Sequence, residues 1–422
     1  VGVGQDADGE VVDVIGWRLD EVVDLIRGAS GTTVRLEILP ADSSGSDSKV
    51  ISIVRDEVKL EEQSAQKEVI ELKDGDKTRR IGVIDIPTFY IDFQGRMENR
   101  PDYKSTTRDV RKLITELKEE GIDGLIIDLR NNGGGSLEEA IDLTGLFIPT
   151  GPVVQVRGIR DRVEVLQDQD PDVLYDGPMT VLVNRLSASA SEIFAGAIQD
   201  YGRGLIVGGQ TFGKGTVQSL RPLTQGQLKI TQAKFYRVSG DSTQHQGVIP
   251  DVLFPSLFDK EKIGESALKA ALPWDTIQPA RKAGVNAILP ILPHLRELHD
   301  VRIEHNPDFL FLREQKEMIT EMRDKTEVSL NEDVRKKERE ANDERRLSLE
   351  NKRRKAKGME LLTALDDAAS NGEETPVKAE TDKSDDTKKP EEADAILEEA
   401  GYILLDYEHI TQGAMTAQRI DN

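Results

Sequence analysis

The stretch Gly124-Leu125-Ile126-Ile127-Asp128-Leu129-Arg130-Asn131-Asn132-Gly133-Gly134-Gly135 decides the fold prediction for this chain. Its apolar first half predicts a buried strand, and its three glycines predict a turn whose backbone N–H groups can come close to a bound group. A helical pattern resumes at residues 137–147. A strand, a turn and a helix in this order are typical of an α/β core. The turn is either a plain connection or an anion site, for a phosphate or a developing oxyanion.

The same alternation continues on both sides of this stretch, from about residue 80 to residue 255. Apolar runs that predict strands alternate with amphipathic runs that predict helices. The predicted strands are 81–86, 124–129, 153–156, 181–183, 205–207 and 228–238, and the predicted helices are 110–117, 137–147 and 191–201. We therefore predict an α/β core in this region.

The flanks of this region have other patterns. Residues 1–39 predict strand, loop, helix and strand, and residues 50–54 predict a further strand. After about residue 261, residues 314–357 predict a polar helix and residues 396–410 an apolar helix that docks on the core. Between them, residues 366–394 are acidic and lack aromatic side chains, which predicts a disordered linker.

Length and composition limit the classes of function. A length of 422 residues indicates two to four domains, and the absence of cysteine excludes disulfides, zinc ribbons and a thiol nucleophile. A net charge of −22 argues against nucleic-acid binding, which needs clustered cations. No apolar run approaches the roughly 20 residues of a membrane span. Because the chain opens at Val1 rather than Met, we expect a trimmed piece whose targeting segment is not seen.

Two further segments carry candidate chemistry directly after predicted strands. Leu186-Ser187-Ala188-Ser189-Ala190-Ser191-Glu192 places three hydroxyls at a helix start, where backbone N–H groups are free; an ordinary N-cap with Glu192 in the first turn is the alternative. Gly208-Gly209-Gln210-Thr211-Phe212-Gly213-Lys214-Gly215-Thr216 has the spacing of a phosphate loop. Gly215 stands where that loop needs Ser or Thr, and no helix follows, so we reject a nucleotide site.

What remains in the third segment is Lys214 between two glycines. A lysine desolvated in this way loses its charge readily and can act as a general base. The three segments together offer a serine nucleophile, a lysine base and a glycine-rich oxyanion hole. His245 is the only histidine in the α/β region and is predicted to be a solvated loop residue, so a His-dependent triad is poorly supported. Ser–Lys catalysis is a recognised variant of the triad.

The three segments, in this order and spacing, resemble the S41 serine peptidases. More narrowly, they resemble the tail-specific, C-terminal-processing proteases of the bacterial periplasm, of the Prc or Tsp type. The resemblance implies a ClpP/crotonase-like α/β protease core at residues 80–258, with the C-terminal half of a PDZ domain at 1–55 and a linker or strand at 56–79 before it. It also implies a mostly helical C-terminal domain at 259–422.

Carried over residue by residue, the resemblance assigns Ser189 as the nucleophile and Lys214 as the general base, with Gln218 supporting the lysine. On a straight strand, the side chains of Lys214 and Gln218 would share a face but lie about 13 Å apart. We therefore expect Gly215 to bend the chain so that the two side chains meet.

The resemblance assigns the oxyanion hole to the backbone N–H groups of Ala190 and of Gly134 or Gly135. Asp200 matches a residue that the family associates with activity. Eleven residues of helix, however, place Asp200 about 16 Å from Ser189. We interpret Asp200 as structural support, fixing the turn at 201–203.

The resemblance implies a serine endopeptidase that recognises apolar C-terminal tails of proteins in the periplasm of a Gram-negative bacterium. It implies no metal or cofactor, and it allows a lipoprotein adaptor as a partner. A catalytically silent scaffold that binds proteins is the alternative. The basic stretch 333–357 suggests RNA or membrane binding only weakly, because it lacks aromatic residues and a strong apolar face. A solvated charged helix is favoured there.

Overall fold

The computed structural model describes residues 1–39, 48–56, 64–282, 288–364 and 394–420. The chain divides into two compact units, Val1–Gln63 and Ser64–Asn422. The boundary falls inside the span 56–79 that the sequence assigns to a linker or a strand entering the core. The predicted acidic linker at 366–394 lies outside the described residues except for Asp394.

The first unit is a four-stranded antiparallel sheet with one helix. Its elements are β1 (Gly2–Gln5), β2 (Val11–Asp13), α1 (Leu19–Ile26), β3 (Thr33–Ile38) and β4 (Lys49–Val54), with the strand order β2-β1-β3-β4. Val3, Val14 and Val34 form its small core, against which the apolar face of α1 packs. The predicted strand, helix and strand are confirmed; the assignment of this unit to half of a PDZ domain stays a prediction.

A six-stranded sheet forms the centre of the second unit. Its order is β14 (Val252–Leu253), β11 (Leu205–Gly208), β10 (Met179–Val183), β7 (Gly124–Asp128), β6 (Lys77–Asp85) and β5 (Gln66–Asp74). All neighbouring strands run parallel except β5, which pairs antiparallel with β6. The predicted α/β core is confirmed, although the sequence pattern did not predict β5.

Helices cover both faces of this sheet, as a mostly parallel sheet requires. On one face lie α3 (Thr106–Glu120), α4 (Leu137–Gly145) and α5 (Ala190–Tyr201); on the other lie α6 (Leu292–Glu304), α7 (Pro307–Asp324) and α9 (Ala395–Ile420). The short helix α2 (Phe93–Met97) lies between β6 and α3 in the chain. The apolar helix predicted at 396–410 is therefore confirmed as part of α9.

The register of the parallel strands aligns their carboxyl ends. Asp85 pairs with Asp128, Leu182 pairs with Asp128, and Val183 pairs with Gly208. The loops that leave β7, β10 and β11 therefore start side by side at one edge of the sheet. In open α/β sheets, this edge is where ligands bind.

A second, antiparallel sheet follows the order β12 (Thr216–Pro222), β13 (Gln227–Tyr236), β8 (Gly151–Gly158) and β9 (Val163–Asp168). The strand predicted at 228–238 is confirmed as β13, whereas the sequence pattern did not predict β9. The prediction that no helix follows Gly215 is also confirmed, because β12 begins at Thr216.

The prediction of one continuous polar helix at 314–357 is wrong, because the structure has two separate helices there. The chain leaves α7 at Lys325, which is extended, and starts α8 (Glu332–Lys357) at Asn331, whose side chain accepts a hydrogen bond from Val334 N at 3.2 Å. The basic residues of α8 face acidic partners on α7. These ion pairs are Arg345–Glu321, Lys352–Glu314 and Arg353–Asp308.

None of the helices in the described ranges has the length and apolar character needed to cross a membrane.

The docking of α9 on the sheet yields a stability prediction. Leu404 of α9 is 1% exposed, and its Cδ2 atom lies 2.6 Å from the position that a Cβ atom would take at Gly124 of β7. We expect Leu404→Ala to lower the free energy of unfolding by about 2–5 kcal/mol, because it leaves a cavity between helix and sheet. The fully exposed Leu330 (100%) is the control, and Leu330→Ala should change stability by less than about 0.5 kcal/mol in urea unfolding. Equal losses in the two variants would contradict this packing.

Candidate active site

Ser189 lies at the sharp turn between β10 and α5. It occupies the N-cap of α5 with φ 58° and ψ −109°. An ordinary N-cap residue takes the β region, and positive φ is uncommon outside glycine, so this turn is held in a strained conformation by its surroundings. Ser189 is half-buried, whereas the neighbouring serines of the motif, Ser187 and Ser191, are completely buried.

The hydroxyls of those two buried serines have structural partners. Ser187 Oγ donates to Leu129 O at 2.7 Å, and Ser191 Oγ donates to Asn132 O at 2.9 Å. Both therefore fasten the turn at Ser189, here called the Ser189 turn, to the loop after β7. This leaves Ser189 as the member of the Ser-Ala-Ser-Ala-Ser motif that faces the carboxyl edge of the sheet with partial access to solvent.

The Lys214 loop connects β11 with β12, and its backbone is held on both sides. His245 N donates to Gly213 O at 2.8 Å, Gly215 N donates to Gln244 Oε1 at 2.9 Å, and Phe235 N donates to Gly215 O at 2.9 Å. Gly213 has φ 92°, and a Cβ atom there would lie 2.6 Å from His245 O. The loop therefore needs a glycine before Lys214 for both its conformation and its close packing.

A buried carboxylate joins this loop to the Ser189 turn. Glu192, in the first turn of α5, is 0% exposed. Its Oε2 atom accepts hydrogen bonds from Ser189 N at 2.7 Å and Lys214 N at 2.9 Å, and its Oε1 atom accepts from Gly213 N at 2.6 Å and Thr211 Oγ1 at 2.6 Å. Burial raises the pKa of Glu192 to about 7, against the opposing effect of these four hydrogen bonds.

The sequence pattern predicts Glu192 only as a residue in the first helical turn after an ordinary N-cap. That interpretation accounts for the bond from Ser189 N. It misses the bonds from Thr211, Gly213 and Lys214, which lie 19 to 22 residues away in the chain. The parallel pairing of β10 with β11 places the two loops side by side, and Phe212 N donates to Ser187 O at 2.9 Å between them.

The glycine turn after β7 packs directly against Ser189. A Cβ atom at Gly134 would lie 2.8 Å from Ser189 Cβ and 3.1 Å from Ala190 N. Asn132, which is 0% exposed, pins the turn: its side chain donates to Ile86 O at 2.7 Å and accepts from Gly134 N at 2.9 Å, while its own carbonyl accepts from Ala188 N at 2.9 Å.

The N–H group of Gly134 thus already donates a hydrogen bond to the Asn132 side chain. Within the described part of the chain, the N–H groups of Gly135 and Ala190 donate to no acceptor. Gly135 has φ 145°, and a Cβ atom there would collide with Phe89 O. Of the three residues named from the sequence for an oxyanion hole, Gly135 and Ala190 therefore have the available donors.

Two other residues named from the sequence lie apart from this centre. Gln218 is exposed on β12, where a register shift follows Val217, and its Nε2 atom donates to Thr231 Oγ1 at 3.4 Å. Asp200, at the far end of α5, accepts from Arg237 Nη2 at 2.6 Å and Ser239 N at 3.0 Å.

Asp200 therefore has structural contacts, but they are not those that the sequence suggested. The turn at 201–203 is closed by Gly202 in the left-handed conformation, with φ 61°. Asp200 instead fastens the end of α5 to the segment after β13, through Arg237 and Ser239.

The prediction that His245 is a solvated loop residue is wrong. His245 is half-buried with φ 65°, its backbone N donates to Gly213 O, and its Nε2 atom is buried without a hydrogen-bond partner among the described residues. The loop after β13 folds against Gly213, whose missing side chain makes the room.

Comparison with known proteins finds two family matches and several similar proteases. Residues 80–254 match peptidase family S41, and residues 258–409 match the C-terminal domain of tail specific protease. The chain is 44% identical over 379 residues to the tail-specific protease of Haemophilus influenzae, covering 87% of this chain and 52% of that protein. It is 36% identical over 272 residues to the carboxy-terminal-processing protease of Bartonella bacilliformis, covering 62% of this chain and 57% of that protein.

The chain thus spans about half the length of the curated relatives that it matches. Among solved structures, the photosystem II D1 C-terminal processing protease is 28% identical, with a TM-score of 0.42 over 60% of this chain and 62% of that chain.

The raised pKa of Glu192 predicts how stability changes with pH. From an ordinary value of 4.5, burial raises this pKa to about 7, so the folded protein holds the proton more tightly than the unfolded one. The resulting stabilisation is complete below pH ~4.5 and is lost as the pH rises through ~7. Relative to Glu192→Gln, the free energy of unfolding of the wild type should fall by about 2 kcal/mol between roughly pH 5.5 and pH 8.5.

Urea unfolding of both proteins at the two pH values measures this difference, and the comparison with Glu192→Gln cancels the titration of all other groups. A stability difference that is constant with pH, or that moves in favour of the wild type at the higher pH, would contradict the raised pKa.

Proposed function

The chain belongs to peptidase family S41 through its domain at residues 80–254, and we propose that it hydrolyses peptide bonds with Ser189 as nucleophile and Lys214 as general base. The observation that carries this proposal is the Glu192 carboxylate, which binds the backbone N–H groups of both residues. A buried acceptor shared by two turns fixes their relative position, and fixed positions of nucleophile and base are what such catalysis needs.

In the proposed reaction, neutral Lys214 accepts the proton of Ser189 Oγ while that oxygen attacks the carbonyl carbon of the substrate. The N–H groups of Gly135 and Ala190 donate to the oxyanion of the tetrahedral intermediate. The intermediate expels the amine, which takes its proton from Lys214. Lys214 then removes a proton from water while the water oxygen attacks the carbonyl carbon of the acyl-enzyme. The bond to Ser189 Oγ breaks, and this oxygen takes the proton back from Lys214.

Gln218 enters this proposal as the side chain that supports Lys214. In the structure its amide hydrogen-bonds to Thr231 at 3.4 Å and is exposed. For this role, the Gln218 amide must give up its hydrogen bond to Thr231 when substrate binds and form one with the Lys214 side chain instead. Catalytic hydrogen bonds are often formed only in the substrate complex.

For substrates, we propose protein C-terminal tails of apolar character, bound in extended form with the help of the first unit acting as part of a PDZ domain. The name of the Haemophilus influenzae relative, tail-specific protease, supports this class. The net charge of −22 also disfavours acidic tails. The resemblance to periplasmic enzymes supports a periplasmic location in a Gram-negative bacterium, with a lipoprotein adaptor as a partner.

The Ser–Lys assignment predicts which substitutions abolish the reaction. Ser189→Ala and Lys214→Ala should each remove labelling by a fluorophosphonate probe and hydrolysis of a protein that carries an apolar C-terminal tail. His245→Asn is the control, because Asn tolerates the positive φ of 65° at this position. This control should keep activity within about threefold of the wild type, since the nucleophile and base are untouched.

Loss of activity in His245→Asn with retained activity in Lys214→Ala would show that His245, and not Lys214, is the general base. A wild type that neither binds the probe nor cleaves the substrate would favour the silent scaffold.

The close approach of the glycine turn to Ser189 gives a further prediction. Gly134→Ala adds a Cβ atom 2.8 Å from Ser189 Cβ, at a residue with φ 103°. We expect kcat/KM to fall by about 100-fold or more, because the turn that presents Gly135 N must move. Gly121→Ala is the matched control: its φ is 73°, but a Cβ atom there meets nothing within 4 Å.

Both substitutions strain the backbone, and both should lower thermal stability in differential scanning calorimetry. Only Gly134→Ala should lose activity. A Gly134→Ala protein as active as Gly121→Ala would contradict the placement of the oxyanion hole.

A further inference from the structure

Arg185 is a buried arginine that the proposed reaction does not use. It lies in the loop between β10 and Ser189 and is 3% exposed. Buried arginines are usually paired with carboxylates. Within the described residues, however, every hydrogen bond of the Arg185 guanidinium goes to a backbone carbonyl or a hydroxyl.

These acceptors come from two places. One is Thr211 O, in the loop that leads to Lys214. The others belong to a turn early in the C-terminal region: Ile263 O at 2.7 Å from Nε, and Lys260 O and Ser266 Oγ at 3.2 and 3.4 Å from Nη2. We call residues 259–268 the staple turn. Arg185 thus bridges the Lys214 loop and the staple turn with one rigid, planar group.

The staple turn is built around this guanidinium. Gly264 has φ 126°, and a Cβ atom there would collide with Arg185 Nη2. Arg323 of α7 pairs with Asp259 at 2.8 Å, which anchors the staple turn to the helices of the C-terminal region.

The staple turn also reaches the Lys214 loop directly. Glu265 N donates to Phe212 O at 3.0 Å. The Glu265 carboxylate accepts from Gln244 Nε2 at 3.0 Å, and Gln244 Oε1 in turn accepts from Gly215 N at 2.9 Å. The residues on both sides of Lys214 are therefore connected to the staple turn.

The second route runs through Thr211. Its carbonyl accepts from Arg185, and its hydroxyl donates to Glu192 Oε1 at 2.6 Å. A shift of Thr211 would therefore displace a donor of the carboxylate that holds Ser189 N and Lys214 N.

We propose that Arg185 is a positioning residue through which the staple turn of the C-terminal region holds the Lys214 loop in its reactive place. The proposal rests on the proposed function, in which Lys214 must lie within hydrogen-bond reach of Ser189. Arg185 touches neither substrate nor reacting atoms. It makes the C-terminal region a part of the catalytic arrangement rather than a separate appendage.

The test compares Arg185→Lys with Arg203→Lys in the full chain. Arg203 is the matched control, because its guanidinium also donates to backbone carbonyls, Phe147 O at 2.9 Å and Tyr175 O at 2.7 Å. It follows the C-terminal end of α5, whereas Ser189 caps the N-terminal end. Lysine keeps the charge but cannot bridge several carbonyls with a planar fork. Thermal unfolding of each variant shows whether it is folded.

We expect Arg185→Lys to lower kcat for a reporter peptide by about 10- to 100-fold while KM changes by less than about twofold, because a misplaced base affects the chemical step. Arg203→Lys should stay within about threefold of the wild type in both constants. Hydrogen–deuterium exchange at the amides of Gly213 and Lys214 should be at least about tenfold faster in Arg185→Lys than in Arg203→Lys, because the loop opens more easily.

Equal kcat values and equal exchange in the two variants would overturn the proposal. If Arg185→Lys does not fold, Gly264→Ala disturbs the same contact between Arg185 and the staple turn. An unchanged kcat in Gly264→Ala would also overturn the proposal. If the wild type itself hydrolyses nothing, the proposed function fails, and the exchange comparison still decides whether Arg185 holds the Lys214 loop.

Discussion

The geometry of the candidate site depends on one buried carboxylate, that of Glu192. A carboxylate without solvent is costly unless its oxygens are hydrogen-bonded. Glu192 meets this requirement with four donors from two segments of the chain: Ser189 N at the start of α5, and Thr211, Gly213 and Lys214 in the loop after β11. The loop after β11 supplies three of these donors, and the start of α5 supplies one. Hydrogen bonding of one buried side chain therefore holds the Ser189 turn against the Lys214 loop.

The parallel sheet makes this arrangement possible. Because β7, β10 and β11 are neighbours, the glycine turn, the Ser189 turn and the Lys214 loop all start at the same edge. Asn132 joins the first two by holding Gly134 N with its side chain and Ala188 N with its carbonyl. Among the described residues, the N–H groups of Gly135 and Ala190 have no acceptor, and in the proposed reaction they donate to the carbonyl oxygen of the substrate.

Local sequence pattern predicted much of this arrangement. Each of the three segments carries its signal within a few residues: an apolar run, then glycines or small residues, then the next element. The roles of Glu192 and Asn132 could not be predicted, because their partners lie 19 to 22 residues away for Glu192 and 46 residues away for the Asn132 side chain at Ile86. The pattern also missed β5 and β9, which pair as hairpins with the neighbouring strands β6 and β8. His245 was misjudged because its polar neighbours in sequence hide its packing on Gly213.

The central claim is that Glu192 holds Ser189 and Lys214 together in a working active site, and a crystal structure of the chain labelled with a serine-reactive phosphonate tests it most directly. We expect phosphorus on Ser189 Oγ and the phosphonyl oxygen about 3 Å from the backbone nitrogens of Gly135 and Ala190. We also expect Glu192 to accept hydrogen bonds from Ser189 N and Lys214 N in this adduct. Label on another residue, a phosphonyl oxygen away from those nitrogens, or a Lys214 loop detached from Glu192 in the adduct would contradict it.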